Sequence, residues 1–318
     1  MEEQSAVLLI DCPDRPGLVA RVSSLLYERG ANILHADQHQ DHELGLFFMR
    51  VEWGMAVPAK PGTEGTPGQG AGLAEASQQC AGSTSSSPGV MAFDLPAFER
   101  AFAPLAEELE MRWTLTSSAY RPRVALFCSQ YLHCMADLLH RWHTGELKCE
   151  IPLIVSNHRE VEKLAAFYGV WFEHVPVTPA TRAEAEERQL ELLAANGTDL
   201  VVLARYMQIL SPGFVARYPS AIINVHHSFL PAFVGARPYH AAHARGVKLI
   251  GATSHYVTEV LDDGPIIEQD VARISHRDQV EDLVARGRDL ERIVLSRAVR
   301  LHLDRRILCF GNKTVVFD

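Results

Sequence analysis

Short apolar, β-branched runs alternate with stretches of helical spacing from about residue 124 to residue 257. The most strand-like of these runs is Asp199–Ala204, and another begins at Ile222. Strands separated by helices pair in parallel through right-handed crossovers, with helices on both faces of the sheet. This alternation predicts a doubly wound, mainly parallel α/β sheet. The residues that follow predict a long helix from Arg277 to about Leu303 and a hairpin at 307–317.

The N-terminal part has a different organisation. Residues 6–53 and 95–117 read in order as strand, helix, strand, strand, helix and strand, which is the βαββαβ pattern of a ferredoxin-like unit. Residues 54–92 are rich in Gly, Ser, Pro, Thr and Gln, so they cannot bury enough apolar surface to offset their ordering entropy. We therefore predict a first domain at 1–120, interrupted by a disordered insertion at 54–92, and a second domain at 121–318.

Composition excludes several classes of partner. The formal net charge of −9 gives no general reason to expect nucleic acid or an anionic membrane. No apolar run reaches the ~20 residues of a membrane span, and the acidic start lacks the basic opening of a signal peptide. The six cysteines show no metal-ligand or disulfide-scaffold spacing. We expect a cytoplasmic protein with no metal and no cofactor, which binds neither nucleic acid nor membrane.

Two polar residues interrupt the apolar strand predicted from Ile222 onward. Asn224 and His226 are two residues apart, so in a strand both project from one face. A strand buried on both faces is expected to be apolar throughout. The pair stands just before a Ser-Phe-Leu-Pro loop, where open α/β sheets place their ligands. This position indicates a catalytic or binding site.

Four motifs in the C-terminal part resemble the folate-dependent formyltransferase family. In chain order they are Asn224-Val225-His226, Ser228-Phe229-Leu230-Pro231-Ala232, Gly251-Ala252-Thr253 and Leu261-Asp262-Asp263-Gly264-Pro265-Ile266-Ile267. Within that family, the run from His226 to His240 is similar to the formyltetrahydrofolate deformylases. The runs Cys12–Ala20 and Phe47–Arg50 resemble the ACT-type regulatory domain that those deformylases carry.

The resemblance implies hydrolysis of 10-formyltetrahydrofolate, as substrate rather than cofactor, to formate and tetrahydrofolate. This reaction would supply formate for purine synthesis and balance one-carbon folate pools. In the same family, the transformylases of the purine pathway carry a Gly-rich phosphate loop after the first strand. The equivalent position here, Cys128–Cys134, contains no glycine. A phosphate cradle needs close backbone approach, so we expect water as the acceptor. Gln208 stands where the deformylases usually carry a basic side chain.

A mechanism follows from the three polar residues. We expect the Asn224 amide to donate a hydrogen bond to the formyl oxygen as negative charge develops there. His226 takes a proton from water or stabilises the oxyanion. Asp262, supplied by a loop, orients the imidazole or the water.

Further site residues are implied by the resemblance. The expected substrate contacts are Met207, Ile209, Leu210, His227, Arg237, His240, Val257 and Leu261. For His227, Arg237 and His240 the alternative is that they satisfy loop backbone. An amino-acid effector is expected at Asp14, Arg15, Gly17, Leu18 and Asn32, although an ACT fold without a ligand is the alternative. Because ACT modules often pair sheets between subunits, we expect a homo-oligomer.

Three rival interpretations remain. A methionyl-transfer-RNA formyltransferase should carry an extra basic C-terminal domain, whereas this sequence ends at Asp318 with a hairpin and an acidic balance. A metallohydrolase would use histidines among His226, His227, His240, His243 and His255, which show no recognised zinc signature. A non-catalytic folate-binding sensor would not need Asn224, His226 and Asp262 together.

Overall fold

The computed structural model describes residues 4–57, 91–231 and 238–318. The chain divides into two compact units, Met1–Ala119 and Tyr120–Asp318. Each unit has its own hydrophobic core. Every helix within the described ranges is too short or too polar to span a lipid bilayer.

The first unit is a four-stranded antiparallel sheet packed against two helices, as the ferredoxin-like pattern predicts. Its strand order is β2-β3-β1-β6, and Trp53, Phe98 and Phe102 are fully buried in its core. The elements are β1 Ser5–Pro13, α1 Leu18–Glu28, β2 Asn32–Asp41, β3 Leu46–Gly54, β4 Ala56–Val57, β5 Met91–Ala92, α2 Leu95–Glu108 and β6 Arg112–Ser117.

The predicted insertion at 54–92 is wrong at its two ends. Ala56–Val57 and Met91–Ala92 pair as short antiparallel strands, and the Phe93 amide donates to the Met55 carbonyl at 2.8 Å. The reason is that Phe93 packs its ring on Trp53, with centroids 5.6 Å apart, which anchors the backbone beside it. Residues 58–90 of the predicted insertion lie outside the described residues.

The second unit is a seven-stranded sheet with helices on both faces. Its elements are β7 Arg123–Cys128, α3 His133–His143, β8 Glu150–Ser156, α4 Glu162–Tyr168, β9 Trp171–His174, α5 Arg182–Ala195, β10 Leu200–Leu203, α6 Pro212–Val215, β11 Ile222–His226, α7 Pro238–Arg245, β12 Leu249–Tyr256, β13 Ile266–Arg273, α8 Val280–Leu303, β14 Ile307–Phe310 and β15 Lys313–Val316.

The strand order of this sheet is β13-β12-β11-β10-β7-β8-β9. The pairs from β11 to β9 are parallel, and β12 and β13 are antiparallel additions. The predicted mainly parallel architecture is therefore confirmed. Strand β13 was not predicted, because its sequence Ile-Ile-Glu-Gln-Asp-Val-Ala-Arg is largely polar, as suits a sheet edge.

Two cores lie on opposite faces of the sheet. Ile223 and Val225 of β11 pack under α3 and α8, in a core that includes Leu138 and Leu295. On the other face, Ile222 packs with α5 and α6. Strand β11 is thus covered on both sides, and its carboxyl end reaches the sheet edge where parallel α/β sheets place their ligands.

Candidate active site

Strand β11 places Asn224 and His226 side by side at the carboxyl edge of the sheet. In its antiparallel pairing with β12, Asn224 lies opposite His255 and His226 lies opposite Thr253. His226 is buried and Asn224 is half-buried. The spacing of two residues therefore gives the two side chains a common face, as the strand geometry requires.

Asp262 reaches this edge from the loop between β12 and β13. Its Oδ2 lies 3.2 Å from Nδ1 of His226. The loop adopts a sharp turn, in which Asp262 has a left-handed φ of 55°. The turn then passes so close to β12 that a Cβ on Gly264 would stand 1.7 Å from the Tyr256 carbonyl oxygen. Only glycine permits this approach, which accounts for the glycine of the Asp-Asp-Gly-Pro motif.

His255 contacts the Asn224 amide, and its Nε2 lies 3.8 Å from Oδ1 of Asp262. Its Nδ1 lies 2.9 Å from the Tyr256 carbonyl, so Nδ1 carries the proton and Nε2 is an acceptor. The Asn224 Nδ2 then donates to His255 Nε2 at 3.3 Å. Burial lowers the pKa of His255, which keeps this ring neutral beside Asp262. The second Nδ2 proton of Asn224 is left for another acceptor.

The charges in the site favour an ionised carboxylate beside an imidazole. The hydrogen bond from His226 lowers the pKa of Asp262. With Nδ1 of His226 donating to that carboxylate, the lone pair of neutral His226 lies on Nε2. Nε2 is buried and has no hydrogen-bond partner among the described residues. This nitrogen can accept a proton from a reacting group.

Thr253 and Gln269 hold the loop that follows His226. The Leu230 amide donates to Thr253 Oγ1 at 3.1 Å, and Thr253 Oγ1 donates to the Ser228 carbonyl at 2.9 Å. Gln269 Nε2 also donates to Thr253 Oγ1, at 2.9 Å. Sequence reasoning assigned neither residue this role, although the Gly-Ala-Thr motif signalled Thr253.

The predicted substrate contacts from two loops differ in exposure. Met207, Ile209 and Leu261 are 50%, 55% and 59% exposed, so their apolar side chains are available for contact with a ligand. Leu210 is instead buried in the core with α5 and α6, and Val257 packs against that core. Their part in a folate slot stays a prediction.

The remaining predicted contacts fall in different surroundings. His227 is buried, and its ring centroid lies 5.0 Å from that of His226. Desolvation and the nearby Arg205 charge lower the pKa of His227 to about 4. His240 is exposed on α7. Arg237 lies outside the described residues.

Sequence reasoning missed a buried carboxylate, Glu291 of α8, which is 1% exposed. Its signal was position, since Glu291 continues the four-residue spacing of Leu283 and Gly287 on the buried stripe of the helix. His133, Cys134 and Glu291 are the one group in the described part of the chain whose donor atoms could hold a metal ion. The Arg205 guanidinium lies 3.5 Å from the Glu291 carboxylate, so the positive charge of Arg205 neutralises the negative charge of Glu291.

In the first unit, some of the predicted effector residues lie at the start of α1, and Asn32 lies on another element. Gly17, with φ 91°, precedes the helix, and Leu18 is buried in the core. The Arg15 guanidinium pairs with Glu110 at 2.8 Å. Asp14 accepts a hydrogen bond from Gln40, and Asn32 is exposed at the start of β2. Effector binding here stays a prediction.

Each of the two units matches a known protein family. Residues 122–299 match the family model described as formyl transferase, and residues 6–52 match that of the ACT domain. The chain is 48% identical over 317 residues, and over the full length of both chains, to a protein of Synechocystis named formyltetrahydrofolate deformylase.

Solved structures agree. A formyltetrahydrofolate deformylase from Pseudomonas syringae is 45% identical, covers 100% of this chain and 96% of its own, and superposes with a TM-score of 0.87. A glycinamide ribonucleotide transformylase from Symbiobacterium toebii, 30% identical, matches 62% of this chain and 95% of its own with a TM-score of 0.59.

Fold and site together define a protein with an ACT unit and a formyltransferase-type unit. The transformylase match covers 62% of this chain, whereas the match to the Synechocystis deformylase spans all of it. The chain belongs to the formyltetrahydrofolate deformylase family.

Proposed function

We propose that this chain hydrolyses 10-formyltetrahydrofolate to formate and tetrahydrofolate. The observation that carries the proposal is the 3.2 Å contact between Asp262 and His226 beside Asn224, in a chain whose full-length relatives are named as deformylases. The reaction balances one-carbon folate pools and supplies formate for purine synthesis.

The proposed mechanism uses the three side chains in sequence. His226 Nε2 takes a proton from water as the water oxygen bonds to the formyl carbon. The free Nδ2 proton of Asn224 hydrogen-bonds the developing oxyanion, and Asp262 holds Nδ1 of the imidazolium. His226 then returns the proton to the folate nitrogen N10 as the carbon–nitrogen bond breaks. No metal or other cofactor takes part in these steps.

Separate features support folate binding, an amino-acid effector and a homo-oligomer. The exposed apolar side chains of Met207, Ile209 and Leu261 offer a surface for the pterin ring. The ACT match supports an amino-acid effector at the first unit. Strand β2 is exposed along nearly its whole length at a sheet edge, which suits the pairing of two copies in a homo-oligomer.

The experiment is formate release from 10-formyltetrahydrofolate, with and without glycinamide ribonucleotide. We expect release at the same rate in both cases, since water is the acceptor. Release that requires the nucleotide would make the chain a transferase and would contradict the proposal.

A further inference from the structure

A buried carboxylate collects side chains from three other elements beside the proposed site. Glu291 of α8 accepts a hydrogen bond from Tyr239 of α7 on Oε1, at 2.9 Å. His133 of α3 lies 2.7 Å from Oε2, and Arg205 after β10 lies 3.5 Å from the same oxygen. Burial alone would raise the pKa of Glu291, but His133 and Arg205 hold it below its usual value. We call these four residues the Glu291 cluster.

Two backbone features are adapted to this cluster. Arg205 has a left-handed φ of 64°, a conformation in which a bulky side chain is an outlier that points to a functional constraint. In the interior of α8, a Cβ on Gly287 would stand 2.0 Å from the Tyr239 hydroxyl. A glycine within a helix lowers its stability. Here the absence of a Cβ leaves the space through which the Tyr239 hydroxyl reaches Glu291.

The Glu291 cluster lies against His227, on the α3–α8 side of the sheet edge. The charges of two cluster members, Arg205 and Glu291, act on the His227 ring. The ring centroid of Tyr239 lies 6.3 Å from that of His227, whose own ring is next to His226. The cluster is therefore separated from His226 by a single imidazole.

The loop after β7 adds an aromatic contact to the Glu291 cluster. Its Tyr131 ring lies under the Arg205 guanidinium at 5.2 Å and near that of Arg288 at 6.0 Å. The loop has no glycine to bring its backbone close to a phosphate. The apolar side chain of Met207, which is offered to the folate, lies two residues beyond Arg205 in the loop after β10, and it is 50% exposed while the Arg205 side chain is 11% exposed.

The fold alone does not choose between water and an amine as formyl acceptor, since solved structures that share it are named as transformylases. We propose that the Glu291 cluster is a wall that closes the α3–α8 side of the formyl site to a second organic substrate, which leaves water as the acceptor. Arg205 and Tyr239 are its specificity-determining residues. This inference rests on the proposed hydrolysis.

The test measures how the formyl group divides between water and glycinamide, a small amine. In the transfer reaction, the amine nitrogen bonds to the formyl carbon, the bond from that carbon to N10 breaks, and the amine proton goes to N10. The products are N-formylglycinamide and tetrahydrofolate. Both N-formylglycinamide and formate are quantified by mass spectrometry, so their ratio is independent of the total rate.

We expect the native chain to yield formate alone at all glycinamide concentrations. Arg205→Gly, which suits the left-handed backbone, and Tyr239→Ala each open the wall, so the ratio of amide to formate should rise to roughly tenfold or more above the detection limit that bounds the native ratio. Tyr239→Phe is the matched control, because it keeps the ring and loses only the hydroxyl, so formate should stay the sole product.

Two results would overturn the wall. One is N-formylglycinamide from the native chain in proportion to the amine, a result that does not depend on any variant folding. The other is an unchanged product ratio in an opened variant whose circular dichroism matches the native spectrum. A native chain that releases no formate at all would overturn the proposed function, and the wall with it.

Discussion

The side-chain amide of Asn224 donates one of its two Nδ2 protons to His255. The second proton is left for another acceptor. We predict that Asn224→Ala lowers the turnover of formate release on the order of 10²–10³-fold, because an oxyanion donor is lost. Steady-state kinetics on the purified variant checks this, with KM expected to change much less than kcat. A turnover within a fewfold of the native value would show that the amide does not face the developing charge.

At the residue scale, the pattern of the sequence predicted some side chains far better than others. Asn224 and His226 stood out because two polar groups broke an apolar strand at a spacing that fixes their common face. Glu291 did not, since a glutamate on a long, charged helix is usually solvated, and its burial depends on Tyr239 and His133 from distant elements.

The loop between β12 and β13 is the element that delivers Asp262. We predict that Gly264→Ala lowers turnover strongly although it changes no reacting group, because the new Cβ would stand 1.7 Å from the Tyr256 carbonyl and must displace the loop. Asp263→Ala is the matched control, since that side chain is exposed in the same loop. Kinetics of both variants checks this, and equal activity of the two would contradict the account of the loop.

Helix α8 also carries a half-buried histidine, His302, that makes stability depend on pH. Tyr256 and His302 are hydrogen-bonded at 2.7 Å, and burial lowers the pKa of His302 to about 4. The unfolded chain, with a histidine pKa of about 6.5, binds more protons between these values, so the free energy of unfolding falls as the pH drops from 6.5 towards 4.

We predict that His302→Gln makes this fall shallower, by up to about 1.4 kcal/mol per pH unit. Denaturant unfolding at several pH values measures the slope. Tyr256→Phe should keep the native slope, because His302 still titrates in it. An identical slope in His302→Gln would mean that His302 does not titrate in this window.

At the scale of elements, hydrophobic periodicity predicted the longer helices and the parallel strands, since each buries a continuous apolar face. It missed β13, whose polar residues suit an edge strand, and the short helices α6 and α7. These depend on packing against neighbours, such as Tyr239 on α8, rather than on a repeating pattern of their own.

The whole molecule consists of two units whose sheets and cores are each complete within one stretch of chain. We predict that a fragment of residues 120–318 folds alone and releases formate, because the proposed catalytic residues and the cores beneath them lie within it. Circular dichroism and formate release check this. A fragment that is unfolded in isolation would show that the first unit contributes to the stability of the second.

The central claim is that Asp262 and His226 together activate water. The most direct test compares formate release by the native chain with release by Asp262→Asn, beside binding of tetrahydrofolate to both. We predict that the substitution lowers turnover on the order of 10²–10⁴-fold and leaves folate binding nearly unchanged, because the amide keeps the shape of the carboxylate and loses its charge. Turnover close to the native value would contradict the claim.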